Sequence, residues 1–142
     1  MVPYNFIYLE KEYPILFNIG TSAELNLYSD PVTSLFKLRL FGEKLTEILC
    51  EIHGILLPDP NNFHHRLRIL EIQRTLHPQI RDLLYTIKSK GNKAVHDSIG
   101  SIDDAKGVLF STFKIAKWFY ETYSEERIDI IDVKFHAPSD LD

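Results

Sequence analysis

The chain has 142 residues, a formal net charge of −4 and an apolar content of 44%, which suits one folded domain with its own core. The acidic balance argues against a dedicated nucleic-acid binder, because such proteins neutralise phosphates with a basic surface. Cys50 is the only cysteine, so no intrachain disulfide can form, and a reducing compartment, the cytoplasm, is expected. No apolar run approaches the ~20 residues of a membrane span, and the N-terminal residues lack the pattern of a signal peptide.

Helical spacing of apolar residues dominates the first half of the chain. Between Phe6 and Tyr28 these residues recur every three or four positions, which predicts a helix. Pro14 and Gly20 predict that this helix bends or starts late.

A second, longer helix is predicted to begin at Asp30-Pro31. The Asp side chain can accept bonds from the first free N–H groups, and Pro lacks only a donor that the first turn does not use. The apolar face continues to about His53, where Gly54 can end the helix. A loop rich in Pro and Asn follows at 58–62.

Two shorter helices are predicted next. Residues 63–75, FHHRLRILEIQRT, form the first, and it ends before Pro78 because a residue preceding Pro avoids the helical region. The second runs from Pro78 to about Lys88, and Gly91-Asn92 is predicted to break it or turn it.

Ser101 and Asp104 have the spacing of a capping box and predict the start of the last helix, which is apolar on most of its surface and expected to be central. After Ser124 the period changes, and residues 128–135 are typical of a strand or of an edge segment lying on the helices. The predicted fold is therefore all-α, with about five helices in residues 1–124 and an extended linker in 125–142.

Familiar catalytic motifs are missing from the sequence. It contains no GxxxxGK[ST], no GxGxxG and no HExxH. Asp132-Val133-Lys134 resembles half of a metal-dependent nuclease site, but its earlier acidic partner is undefined. Adjacent histidines, His64 and His65, point in different directions on a helix and do not suit chelation of one ion. Cys50 lies among apolar residues and receives no catalytic role.

Two polar pairs with four-residue spacing stand out. Arg39 and Glu43 lie within an apolar run of the long helix, where they form either a buried pair that specifies geometry or a surface pair worth little. Asn92 and His96 share a helix face. They form either a ribonuclease-type site helped by a nearby lysine, or a helix cap with an inter-helix hydrogen bond. The structural interpretation is favoured for Asn92 and His96. Arg39 and Glu43 are expected to form a partly buried polar link between the long helix and residues 91–96.

Three stretches carry a resemblance to a known family: SDPVTSLFKLRLFGEKL at 29–45, IKSKGNKAVHD at 87–97, and DDAKGVLFSTFKIAKWFYETY at 103–123. In order and spacing they are similar to the N-terminal region of the R subunit of type I restriction-modification enzymes. The family patterns K-x-R-x-FGE, GN-x-A-V-H and A-x-W-[FY]-Y are matched by Lys37, Arg39, Phe41, Gly42 and Glu43, by Gly91, Asn92, Ala94, Val95 and His96, and by Ala116, Trp118, Phe119 and Tyr120.

The resemblance implies a helical DUF4145 module, related to the HEPN superfamily, ahead of a Mg-dependent nuclease and an ATP-driven DNA translocase. ATP and Mg are thus implied only for the parent subunit, a type I site-specific deoxyribonuclease, and no cofactor or metal is expected in this segment. Implied partners are other R-subunit domains and the modification and specificity subunits, with no membrane. Active HEPN members place an Arg shortly before a His, whereas Lys88, Lys90 and Asn92 precede His96 here.

The resulting expectation is a non-catalytic helical docking domain of the R subunit. Its structural residues are predicted to be Arg39, Glu43, Gly91, Asn92 and His96, and the residues facing solvent for contact with DNA or a partner are Lys88, Lys90 and Lys93. His96 is expected to bond near Asn92 and the long helix. The alternatives are a stand-alone HEPN-like ribonuclease or toxin-type protein using His96, and an interaction module of another defence system.

Overall fold

The structure, a computed structural model, describes residues 5–125 and 133–139. These residues form a 3-10 turn and five α-helices, with no β-strand among them. The elements are the 3-10 turn Ile7–Leu9, α1 Pro14–Asn26, α2 Pro31–Ile52, α3 Phe63–Ile72, α4 Pro78–Asp97 and α5 Ile102–Tyr123. The prediction of an all-α bundle of about five helices is confirmed.

Helix α2 lies at the centre of the bundle. It packs against α1, α3, α4 and α5, while α4 and α5 also pack on each other. The expectation that α5 is central is wrong, because α5 packs mainly on α2 and α4. Both α2 and α5 have 22 residues and bury one face, but the buried face of α2, which includes Leu38, Phe41 and Leu45, contacts all four other helices.

Local signals set where the first two helices begin. The first helix starts late, at Pro14, whose missing N–H is harmless in a first turn. In α2 the Asp30 side chain accepts a 3.1 Å bond from the Thr33 backbone N–H, with Pro31 in the first helical position. The helix ends as predicted, and Gly54 has a φ of +63°, a backbone angle that favours glycine.

Helix α4 contradicts the prediction of a break at Gly91-Asn92. It runs without interruption to Asp97 and ends at Ser98, which adopts the left-handed conformation. Gly91 is not one of the residues with positive φ. It is buried against α2, where a Cβ atom would lie about 2.9 Å from both Cγ and Cδ of Arg39. Glycine therefore serves close helix packing here and not a turn.

The capping box at the start of α5 is present. Ser101 Oγ accepts a 3.0 Å bond from the Asp104 backbone N–H, and Asp104 Oδ2 accepts a 3.2 Å bond from the Ser101 backbone N–H. These bonds hold the pKa of Asp104 below its usual value, with further help from Lys90. Among the described helices, none is long and apolar enough to cross a bilayer.

The described part of the tail, residues 133–139, has neither helix nor strand and lies against the bundle. Residues 128–132 of the predicted strand fall outside the described residues. The described remainder of that prediction, 133–135, is not a strand. The division of the chain at residue 124 stays a prediction.

Candidate functional site

The site predicted from the sequence lies where α2 crosses α4. Arg39 Nε donates a 2.8 Å hydrogen bond to Asn92 Oδ1, and Arg39 Nη1 lies 3.4 Å from Glu43 Oε2. The Arg39 and Glu43 side chains are 22% and 25% exposed, which is intermediate between the buried and surface alternatives. The expected polar link between the long helix and the 91–96 segment is present, and its functional role stays a prediction.

Two glycines allow the helices around this link to approach closely. Gly91 receives the aliphatic stem of Arg39, so the guanidinium reaches Asn92 one residue further along α4. Gly42, beside Phe41 and Glu43, receives the ring of Phe63, whose Cζ would lie 2.9 Å from an added Cβ. The motif residues at 39–43 therefore act mainly through packing between α2, α3 and α4.

Arg66 is a buried polar residue of the same region that the sequence reasoning missed. Its side chain is 4% exposed and donates to Thr46 Oγ1 at 3.1 Å, Asn61 Oδ1 at 2.7 Å and the Glu43 carbonyl oxygen at 3.3 Å. The signal was available, because Arg66 has helical spacing with the buried residues Phe63 and Leu70. Arg66 ties α3 and the preceding loop to α2.

His96 does not have the predicted surroundings. Its side chain is exposed in the last turn of α4, and within residues 5–125 and 133–139 it has no hydrogen-bond partner. Asn92, one turn earlier, faces Arg39 instead. The prediction of a bonded, packed His96 is wrong because α4 continues as a helix and carries position 96 beyond the contact with α2. A positive charge at the C-terminal end of a helix interacts favourably with the helix dipole.

The three predicted contact lysines differ from one another. Lys93 is exposed and Lys88 is partly exposed, and neither forms an ion pair within the described part of the chain. Lys90 instead lies 3.3 Å from Asp104 Oδ1, so it links α4 to the capping box of α5. The Lys90 side chain is 44% exposed, so it faces solvent while it also pairs with Asp104.

A basic face, defined by His64 and Arg68 of α3 with Lys88 of α4, extends from these lysines. Burial, followed by the charges of Lys88, His65 and Arg68, lowers the pKa of His64. Lys88 and Arg68 are therefore both close enough to His64 to act on its charge. Such an arrangement can attract phosphates or carboxylates despite the net negative charge of the chain.

The other candidate residues show no catalytic arrangement. Cys50 is buried in α2, and its burial raises the thiol pKa, which keeps it protonated. His65 Nδ1 lies 2.7 Å from Asn62 Oδ1, at the start of α3. No three His, Cys, Asp or Glu residues of the described chain are grouped as metal ligands would be. Asp132 lies outside the described residues.

A second buried polar cluster, Asn5, Tyr8 and Glu24, also escaped the sequence reasoning. Burial raises the pKa of Glu24 to about 7, against hydrogen bonds from the side chain and backbone of Asn5 that lower it. Burial also raises the pKa of Tyr8, with a contribution from the charge of Glu121. Within residues 5–125 and 133–139, Glu24 Oε1 and the Tyr8 hydroxyl have no hydrogen-bond partner.

Comparison with known proteins adds the family. A family model described as "Domain of unknown function (DUF4145)" matches residues 21–129. The chain belongs to the DUF4145 family. This DUF4145 chain is also 32% identical over 124 residues to the "Type I restriction enzyme EcoKI endonuclease subunit" of Escherichia coli strain K12. That match covers 86% of the chain and 10% of the relative, so the chain spans about a tenth of the relative's length. No solved structure matches it.

These matches confirm the resemblance to DUF4145 and to the endonuclease subunit of a type I restriction enzyme. The relationship of this DUF4145 chain to the HEPN superfamily stays a prediction. The matched residues 21–129 include α2 to α5, and with them the contacts of Arg39, Gly91 and Asn92.

Proposed function

We propose that this chain is a non-catalytic helical docking domain of the R subunit of a type I restriction enzyme. The observation that carries the proposal is the 32% identity to the EcoKI endonuclease subunit over 86% of the chain. The parent subunit would be an ATP-dependent DNA translocase and endonuclease of the cytoplasm. Its ATP and Mg would bind outside this segment.

The geometry of the motif residues supports a structural role for them. Asn92 Oδ1 is occupied by Arg39, and Gly91 is covered by the same side chain. A group that holds two helices together is poorly placed to bind a substrate as well. The 39–43 and 91–92 motifs would therefore maintain the shape of the domain, and docking would use the exposed faces.

The basic face formed by His64, Arg68 and Lys88 is the surface we assign to docking, with Lys93 as a neighbouring cation on α4. The expected partners are acidic surfaces of the modification and specificity subunits or of other R-subunit domains, or the phosphates of nearby DNA. Contacts of this kind weaken as salt rises, because exposed charges are screened within about 10 Å at 0.1 M ionic strength.

The test is binding of this chain to the modification and specificity subunits of the same type I system, measured by biolayer interferometry at several salt concentrations. We expect measurable binding that is weakened at least tenfold by combined Arg68→Glu and Lys88→Glu substitutions. A control is Lys106→Glu with Lys114→Glu, which reverses two exposed cations of α5. Absence of binding, or equal weakening by the control, would contradict the proposal.

One observation favours a second candidate, a HEPN-like ribonuclease that uses His96. The ring of His96 is exposed, and an exposed imidazole is free to exchange protons with a substrate. We expect no RNA cleavage, because a phosphate clamp of the Arg type is missing ahead of His96. RNA cleavage that is lost in a normally melting His96→Ala variant would make the ribonuclease the better assignment.

A further inference from the structure

We propose that the bundle carries a groove for an extended peptide and that the chain's own tail occupies it as a removable strap. The tail groove is formed by Asn5, Tyr28, Phe110, Phe113 and Lys117, which come from the N-terminal segment, the α1–α2 connection and α5. Its occupant is the segment 133–138. The inference is independent of the function proposed above.

Recognition of the peptide backbone carries the argument. Asn5 Nδ2 donates a 2.8 Å bond to the carbonyl oxygen of His136, and Asn5 Oδ1 accepts a 2.8 Å bond from the backbone N–H of the same residue. One buried amide thus satisfies both backbone groups of one residue, as a neighbouring strand would. This pairing does not depend on the side chain at position 136.

Two more hydrogen bonds extend the backbone recognition to both sides. The Tyr28 hydroxyl donates a 2.6 Å bond to the carbonyl oxygen of Pro138, and Lys117 Nζ donates a 3.3 Å bond to that of Val133. These donors come from the α1–α2 connection and from α5, so the groove contacts the segment along its length.

The groove also selects two side chains. The centroid of the Phe135 ring lies 5.0 Å from that of Phe110 and 5.5 Å from that of Phe113. Lys114 Nζ also lies over the Phe110 ring, 4.6 Å from its centroid. Pro138 is buried, whereas Lys134, His136 and Ala137 are exposed. The preferred ligand is therefore an extended peptide with an aromatic residue three positions before a Pro.

The strap can detach while the helices of the bundle remain folded. It contributes the partly buried Val133 and Phe135, one proline and the four hydrogen bonds described above, and it has no secondary structure of its own. Segments with so few buried contacts open at a small fraction of the cost of global unfolding. Release uncovers Phe113 and adds to the exposure of Phe110, which is already 43% exposed, and another peptide of the same pattern can then cover both. Opening the strap would thus convert a closed surface into a docking surface.

Hydrogen exchange of the whole chain tests whether the strap is removable. We expect the backbone N–H of His136 to be protected, yet to exchange at least a hundredfold faster than core amides of α2. Tyr28→Phe, which removes only the hydroxyl at Pro138, should speed this exchange further and leave that of α2 unchanged. Exchange of His136 at the rate of the α2 core would overturn the proposal, as would exchange at the rate of a free peptide.

A competition experiment tests the groove. The probe is a fluorescent peptide with the sequence VKFHAPS, added to the whole chain and to its Phe135→Ala variant. We expect at least tenfold tighter binding to the variant, because its own tail has lost the aromatic anchor and competes less. The control variant is Phe36→Ala, an exposed Phe on α2, and the control peptide is VKAHAPS. Equal binding to wild type and Phe135→Ala, or equal binding of both peptides, would overturn the proposal.

Discussion

At the scale of single residues, Gly91 shows how one missing side chain sets the distance between two helices. A Cβ atom at this position would overlap the side chain of Arg39. We expect Gly91→Ala to lower the free energy of unfolding by about 1 to 3 kcal/mol, the usual cost of overpacking. Urea denaturation measures the change.

The matched control for that substitution is Gly107→Ala in α5. Nothing lies within 4 Å of a Cβ added at Gly107, so only the helix propensity changes. This substitution is expected to stabilise the chain by roughly 0.5 to 1 kcal/mol. If both variants shift the stability in the same direction, the close packing at Gly91 is not what requires glycine there.

Buried Glu24 makes stability depend on pH. Its pKa is raised from 4.5 to about 7 by burial, so the folded state binds a proton more tightly than the unfolded state. The ionised form is therefore penalised, and the chain loses stability as pH rises from about 4.5 to about 7. Glu24→Gln should abolish this loss and gain up to about 3 kcal/mol at pH 8, and almost nothing at pH 4. Urea denaturation of wild type and Glu24→Gln between pH 4 and pH 8 measures the free energy of unfolding. An equal gain at pH 4 and pH 8 would contradict the raised pKa of Glu24.

Arg66 and Arg68 differ by half a helical turn and provide another matched pair. Arg66→Met would remove the buried hydrogen bonds from the guanidinium to Thr46 Oγ1, Asn61 Oδ1 and the Glu43 carbonyl oxygen, at a cost of about 2 to 3 kcal/mol. Arg68 is exposed, so Arg68→Met should change the stability by less than about 0.5 kcal/mol. Thermal melting measures both variants, and equal melting temperatures would refute the structural role of Arg66.

At the scale of elements, the crossing of α2 and α4 depends more on Asn92 than on Glu43. Asn92 accepts a short bond from a charged donor in a partly buried position, which is worth about 1.5 kcal/mol or more. The Arg39–Glu43 pair is longer and a quarter exposed, so its loss should cost under about 1 kcal/mol. Urea denaturation of Asn92→Ala and Glu43→Ala should show the larger loss in Asn92→Ala, and the reverse order would contradict this.

The helix starts were predictable, and the helix contacts were not. Asp30-Pro31 and Ser101 with Asp104 identify helix starts because their bonds join neighbours in sequence. Gly91 was misread because glycine weakens an isolated helix, and the contact that favours it here comes from Arg39, 52 positions earlier in the chain. His96 was misplaced for the same reason, since its position followed from the predicted break.

The partners of the buried polar groups at Asn5, Glu24 and Arg66 could not be identified from local patterns. Each is surrounded by residues from distant parts of the chain, such as His136 for Asn5 and Thr46 for Arg66. Composition and spacing report on neighbours along one helix, so they indicate that Arg66 faces the core but not which acceptors it meets.

At the scale of the whole molecule, charge is distributed unevenly. The net charge is −4, yet His64, Arg68 and Lys88 are close together on one side. We expect weak binding to duplex DNA because only a few phosphates are contacted, with an affinity that falls as salt rises because bound counterions are released. Arg68→Glu with Lys88→Glu should abolish it and leave the melting temperature within about 2 °C. Fluorescence anisotropy at 50 and 200 mM salt measures the binding, and affinity independent of salt would contradict this origin.

The pairing of Asn5 with His136 has a mechanical consequence. It brings two positions that are 131 residues apart into direct hydrogen-bond contact, so both ends of the described chain leave the bundle from one place. A pull applied between those ends would load the hydrogen bonds of Tyr28 and Asn5 to the tail, and would detach the tail before the helices separate. The tail would therefore detach at a lower force than the force that unfolds the helical bundle.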